Sequence, residues 1–91
     1  MEFEWDPRKA QANQQKHGVS FNEAATVFGD EFAITVPDPD HSDVEFRYIT
    51  LGWSNRRRLL MVSHTDRNDR LRIISARELT KNERKQYEEK R

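Results

Sequence analysis

Histidine and arginine are the residues of this chain best suited to moving protons and holding an anion. An imidazole titrates near pH 6.5, so it exchanges a proton at neutral pH. A guanidinium stays charged, and its planar fork matches two oxygens of a phosphate or carboxylate. The histidines are His17, His41 and His64. His64 lies at the end of a strand-like block, Leu59 to Thr65, where a sheet could present it to a cleft; otherwise it is a polar residue on a solvent-facing sheet edge. His17 stands in Lys16-His17-Gly18 at a helix end, where a cation offsets the carbonyl dipoles, and capping is favoured there over catalysis. Lys16 shares that capping role or binds phosphate. His41 follows Asp40 in an acidic loop and reads as solvated.

Arg47, Arg72 and Arg77 fall within or at the end of strand-like blocks, a less ordinary place for arginine than a loop. Strict alternation puts Arg72 on one face with Ile74 and Ala76, and Arg77 on the other. The two can serve one site only if a bulge intervenes or if Arg77 turns at the strand end; the turn is a plausible route, because the chain enters a helix at Thr80. Otherwise each arginine pairs with one of the many acids. Arg56-Arg57-Arg58 is a basic loop run, usually just solvated but able to track a nucleic-acid backbone. Tyr87 is the one aromatic on a polar terminal helix, either its anchor or a ring and hydroxyl for substrate. Asp38, Asp40, His41 and Asp43 resemble a ligand cluster, but prolines and the lack of a glycine-turned calcium loop make them a weak metal site. No metal or other cofactor is expected.

The elements that must position these residues follow from pattern. Glu2–Trp5 alternates polar and aromatic as a short strand. Asp6-Pro7 is an N-cap followed by proline at the first helical position, and that helix runs to about Lys16 before Gly18 ends it. Ser20 to Glu23 is a capping box in which Glu23 should reach back to the cap, and Phe21, Ala24, Ala25 and Phe28 form a helical apolar stripe closed by Gly29. Phe32–Val36 reads as a strand, and residues 37–43 as a loop. Val44–Trp53, Arg58–Thr65 and Arg70–Arg77 are further strands. Their connections are too short for parallel crossovers, so they form an antiparallel meander. Thr80 to Glu83 repeats the capping box and opens a terminal helix. The fold class is α+β: a short N-terminal strand, a helical hairpin, an antiparallel meander sheet and a C-terminal helix.

The totals set the frame. A chain of 91 residues allows one domain, spanning 1–91. Hydrophobic residues make up 34% and charged residues 35%, a high charge content, yet the apolar residues sit in periodic blocks, which argues against disorder. Without cysteine there is no disulfide framework or thiolate metal site. No apolar run approaches the roughly 18–20 residues of a membrane span, and residues 1–9 lack a signal-peptide core, so a cytoplasmic location is expected. Net charge is zero, but residues 1–46 hold ten acids and three bases, and residues 47–91 six acids and thirteen bases. That asymmetry either hints at a polyanion partner or is neutralised within the fold.

Several stretches together resemble the BrnT family: Phe3-Glu4-Trp5-Asp6-Pro7, Lys16-His17-Gly18-Val19-Ser20-Phe21, Asp38-Pro39-Asp40-His41, Arg47-Tyr48-Ile49-Thr50-Leu51-Gly52, Leu59 to His64, Arg72 to Arg77 and Glu83 to Glu88. The likeness runs in order over nearly the whole chain. It implies a RelE-like ribonuclease fold and the toxin role of a type II toxin–antitoxin system. The implied activity is metal-independent endoribonuclease cleavage of RNA that inhibits translation and growth. It implies a BrnA-like ribbon-helix-helix antitoxin that neutralises the toxin, with operator DNA bound only through that antitoxin, and it allows a homodimer within a heterotetramer. RNA cleavage by the substrate's 2′-hydroxyl needs a proton acceptor, a cation for the phosphate and an acid for the leaving oxygen. The expected catalytic residues are His64, Arg72 and Arg77, with Lys16, Arg47, Arg57 and Tyr87 on the RNA. Arginine is a poor general base, since its pKa exceeds about 12. Two other readings stay open: a non-catalytic module acting as co-repressor with its antitoxin, and a structural homodimer.

Overall fold

The computed structural model describes residues 1–41 and 45–89. Ser42, Asp43 and Val44, which belong to the acidic loop and the start of a strand block in the sequence reading, lie outside the described residues, as do Lys90 and Arg91.

The first helix, α1 (Pro7–His17), begins as its sequence dictates. Asp6 caps it by accepting from the Arg8 N–H at 2.8 Å, and Pro7 fills the first turn. Gly18, at φ 69°, turns left-handed and donates its N–H to the Gln14 carbonyl at 2.8 Å. The second helix, α2 (Phe21–Thr26), starts at Ser20, whose hydroxyl accepts from the Glu23 N–H at 3.0 Å. A 3-10 turn over Val27–Gly29 continues it. Glu23 does not reach back to the cap as expected. It is buried and is drawn to Arg58 Nε at 2.9 Å and the Ser54 hydroxyl at 2.6 Å. A buried carboxylate takes the charged partner over the solvent-facing backbone donor.

Among the described residues, five strands form one sheet in the order β1 (Glu2–Glu4), β5 (Arg70–Glu78), β4 (Leu59–Arg67), β3 (Arg47–Trp53), β2 (Ile34–Pro37). Strands β2 to β5 are the antiparallel meander. β1 adds to it in parallel, pairing Phe3 with Leu71 and Glu4 with Arg72, so the sheet is mixed and the fold α+β. The N-terminal strand can lie parallel because the whole intervening chain serves as its connection.

β1 covers only the first part of β5. Beyond it, the Asn13 side chain takes the strand's place. Its Oδ1 accepts from the Ala76 N–H at 3.0 Å, and its Nδ2 donates to the carbonyls of Ala76 at 2.8 Å and Val19 at 2.9 Å. One buried amide thus satisfies a sheet edge and bolts α1 to it.

The core lies between α1, α2 and one face of the sheet: Val19, Phe21, Ala24 and Val27 pack on Leu60, Val62, Leu71, Ile73 and Ala76. Gly52 lets the backbone approach there, since a Cβ would sit 2.9 Å from Val27 Cγ1. The terminal helix α3 (Lys81–Glu89) covers part of the opposite face. It opens with a complete capping box: Thr80 Oγ1 accepts from the Glu83 N–H at 3.2 Å, and Glu83 Oε1 accepts from the Thr80 N–H at 2.9 Å. Its buried Tyr87 sits over Ile34, Leu51 and Met61, and Arg84 stacks 5.0 Å from the Trp53 ring centre.

Candidate active site

The register between β4 and β5 decides where the arginines point. Ser63 pairs with Ser75, but His64 pairs with Ile73, so Ile74 is an extra residue and the ladder bulges there. Past the bulge the alternation is reset. Arg72 lies opposite Thr65 and Arg77 opposite Met61. Thr65 and Met61 are four residues apart on an unbulged strand, so both arginines share the face turned away from α1 and α2. The bulge, and not a turn at the strand end, unites them. Ala76 accordingly sits in the core with Ile73 and does not share a face with Arg72, as strict alternation had suggested.

On this outer face a cleft of about 280 Å³ is lined by Lys16, His17, Met61, Ser63, Ser75, Ala76 and Arg77. Lys16 and His17 reach it from the last turn of α1, which Asn13 fixes beside Ala76. The two serines form a polar floor facing each other across the bulge. Arg77 grips Glu83 with both ends of its fork, Nη1 to Oε1 at 2.7 Å and Nη2 to Oε2 at 2.9 Å, and Nη1 also donates to the Glu78 carbonyl at 3.1 Å. This bond, strengthened by the Thr80 N–H, holds the Glu83 carboxyl down at about 2 and raises the Arg77 pKa. Arg72 donates to Glu4 Oε2 at 2.8 Å, a half-exposed pair. It lies about 13 Å along the strands from Arg77, four residues of strand rise. Arg47 is half-buried at the start of β3, in the same cross-strand row as Thr65 and Arg72.

Other sequence candidates lie elsewhere. His64 is not at a strand end, because β4 continues to Arg67. It is buried on the core face, with Nε2 2.7 Å from Thr50 Oγ1, its ring edge-on to Phe28 at 4.9 Å and stacked on Tyr48 at 5.9 Å. Its Nδ1 is buried without a hydrogen-bond partner. Burial lowers its pKa, opposed in part by Asp66. The sheet therefore separates His64 from the cleft with Lys16, His17 and Arg77. Tyr87 lines an apolar groove with Ile34, Val36, Leu51 and Met61, outside the cleft, and its hydroxyl lies 3.5 Å from the Phe32 carbonyl oxygen. Arg57 is exposed on the β3–β4 turn at φ 61°, whereas its neighbour Arg58 is tied to Glu23 and the Gly18 carbonyl. Ser63 and Ser75 escaped sequence reasoning, since a serine in a strand carries no signal until its register is known.

Among the described residues there is no group of three or more histidine, cysteine or acidic side chains placed to hold a metal, and no helix long and apolar enough to cross a membrane. Asp38 precedes the 3-10 turn Pro39–His41 and Asp40 lies within it; Asp43, the last member of that acidic cluster, is outside the described residues.

Comparison with known proteins supplies the context for this geometry. No curated protein sequence matches the chain. Among solved structures, the fold is similar to a crystal structure of the Brucella abortus ribonuclease toxin BrnT, with a TM-score of 0.66 and 24% identity, covering 89% of this chain and 99% of that one. The family described as the ribonuclease toxin BrnT of type II toxin–antitoxin systems matches residues 5–83. With that match extending over most of its length, from the N-terminal Trp5 to the Glu83 that grips Arg77, the chain belongs to the BrnT family of ribonuclease toxins.

Proposed function

We propose that the outer-face cleft is where this toxin binds and cuts RNA, by a metal-independent attack of the substrate's own 2′-hydroxyl. The observation that carries this reading is the grouping of Lys16, His17 and Arg77 over Ser63 and Ser75, on the face that also bears Arg72. A phosphodiester entering the cleft meets the Arg77 guanidinium fixed by Glu83, the exposed Lys16 ammonium, hydroxyl donors and one imidazole. His17 takes the proton of the 2′-hydroxyl as that oxygen bonds to phosphorus. Arg77 and Lys16 stabilise the charge growing on the non-bridging oxygens. The bond to the 5′-oxygen breaks, and the Lys16 ammonium is the proton donor that the cleft offers it. The products are a cyclic phosphate and a free 5′-hydroxyl. Arg72 and Arg47, in a row about 13 Å along the face, hold the backbone of the same strand. In this reading proton transfer falls to His17, and His64 serves the sheet through Thr50.

Membership in a type II family implies an antitoxin partner. The proposed partner is a BrnA-like ribbon-helix-helix protein that carries the complex to operator DNA and shields the basic face. Unrestrained, the toxin would reduce translation and growth in the cytoplasm. The test is cleavage of single-stranded RNA by the purified protein in EDTA. Cleavage that persists and ends in cyclic phosphate supports the reading. A folded, antitoxin-binding protein that leaves RNA intact with and without divalent ions would make it a non-catalytic co-repressor.

A further inference from the structure

Arg77 is not held by the sheet alone. The carboxylate that grips it is Glu83, from the first turn of α3, and the same carboxylate closes that helix's capping box on the Thr80 N–H. Counting donors shows what remains of the guanidinium. It carries five N–H groups. Both hydrogens of Nη1 are taken, one by Glu83 Oε1 and one by the Glu78 carbonyl, and Nη2 spends one on Glu83 Oε2. The Nε hydrogen and the second Nη2 hydrogen remain. These two lie on the other edge of the plane and point in parallel, the arrangement that receives two phosphate oxygens.

We infer that Glu83 is a positioning residue for RNA cleavage: by occupying the end of the Arg77 fork it fixes the guanidinium plane and presents the remaining edge to the substrate phosphate. The inference rests on the proposed cleft. Three observations support it. The contact is bidentate, so it sets the plane as well as the position of the guanidinium. The carboxylate is itself immobilised, by the Thr80 backbone and by its place in a helical first turn. It also remains ionised throughout the working pH range, since Arg77 keeps its pKa at about 2. A preorganised cation spends no free energy on reorientation as charge develops on phosphorus. The role also gives α3 a purpose beyond covering apolar surface, because the helix delivers the clamp.

The test measures kcat and KM on a single-stranded RNA oligonucleotide for wild type, Glu83→Gln, Arg77→Ala, the double variant and Thr80→Ala, with melting curves for each. Thr80→Ala removes the hydroxyl cap but leaves the Glu83–Arg77 contact. Expected are a roughly tenfold fall in kcat for Glu83→Gln with KM within about twofold, no further loss when Glu83→Gln is added to Arg77→Ala, and near wild-type kcat for Thr80→Ala. Wild-type kcat in Glu83→Gln alongside an impaired Arg77→Ala would overturn the inference alone. So would a gain of activity, which would make Glu83 a blocker, or an equal loss in Thr80→Ala, which would make it only a cap. An unimpaired Arg77→Ala would overturn the proposed cleft itself, and the inference with it.

Discussion

Replacing Asn13 by alanine should damage both stability and cleavage, and its size can be worked from three hydrogen bonds. The amide is 7% exposed and lies against residues that are closed to water, Val19 at 0% and Ala76 at 1%. Truncation removes the donor to two carbonyls and the acceptor for one N–H. β4 pairs with the other edge of β5 at Ala76, and among the described residues no strand covers the edge that Asn13 serves, so the two Ala76 groups and the Val19 carbonyl are left buried without this partner. An unsatisfied buried group costs about 1–3 kcal/mol. Taking the low end for each of the three gives about 3–4 kcal/mol, a large share of the roughly 5–14 kcal/mol that a chain of this size has in total. The midpoint of thermal unfolding should fall by roughly 12–30 °C. Urea unfolding followed by tryptophan fluorescence measures the loss, and an unchanged denaturant slope would show that it is a loss of stability. Asn13→Asp should be nearly as harmful, because it keeps the acceptor and loses both donations. Cleavage measured well below the midpoint should fall too, since Asn13 fixes the end of α1 that carries Lys16 and His17. A cost under about 1 kcal/mol for Asn13→Ala would refute the argument that this amide stands in for a strand.

Arg72→Ala and Arg77→Ala should each lower cleavage by about 10²-fold or more while remaining folded, since their partners Glu4 and Glu83 are part-exposed; circular dichroism with an RNA assay checks both, and a folded, fully active variant removes that arginine from the site. His64 should make the protein acid-sensitive. Burial holds its folded pKa below the ordinary 6.5, so the unfolded chain takes up the proton first; the stabilisation is complete above about 6.5 and is lost progressively as pH falls below it. The urea midpoint should therefore drop between pH 7 and 5 in wild type and drop less in His64→Gln; equal drops would exclude His64 as the cause. Gly52→Ala should cost about 1–3 kcal/mol in the same urea assay, because its Cβ would press Val27 at 2.9 Å and Ala33 at 3.0 Å; a neutral result would mean that the 3-10 turn yields freely.

Much of the fold was legible because its signals are local. Asp6-Pro7, Gly18, Ser20 and the Thr80–Glu83 box mark helix ends by chemistry within four residues, and each acts at the end it marks. The short polar connections forced the meander. What escaped depends on contacts distant in sequence. The pairing of β1 with β5 joins residues about 68 positions apart, Glu4 with Arg72 among them. Glu23 satisfies the capping pattern, yet its side chain answers to Arg58, 35 residues away. His64 looked like a strand-end residue only because the strand was read two residues too short. In the candidate site, the residue types that suit phosphate chemistry were evident in the sequence, but not which of them lie together. His17 read as a cap because Lys16-His17-Gly18 is a helix end, and nothing local says that this helix end borders a cleft.

The bulge links these two levels. A strand with period two sorts its side chains by parity, and an uninterrupted β5 would have to choose between Arg72 and Arg77 on the outer face. With Ile74 as an extra residue, Leu71 and Ile73 face the core before it, Ala76 faces the core after it, and both arginines face out. One irregularity therefore keeps the core apolar and brings two cations to one surface, where regular pairing would have buried a guanidinium or exposed a core position. Its placement fits that role. The bulge falls between the row of Arg72, Thr65 and Arg47 and the row of Arg77 and Met61, and Ser63 and Ser75 face each other where the pairing shifts. A regular ladder would serve stability alone. Interrupting it here costs pairing at one residue and yields a polar-floored cleft walled by a helix end and an arginine, the arrangement on which the proposed RNA chemistry rests.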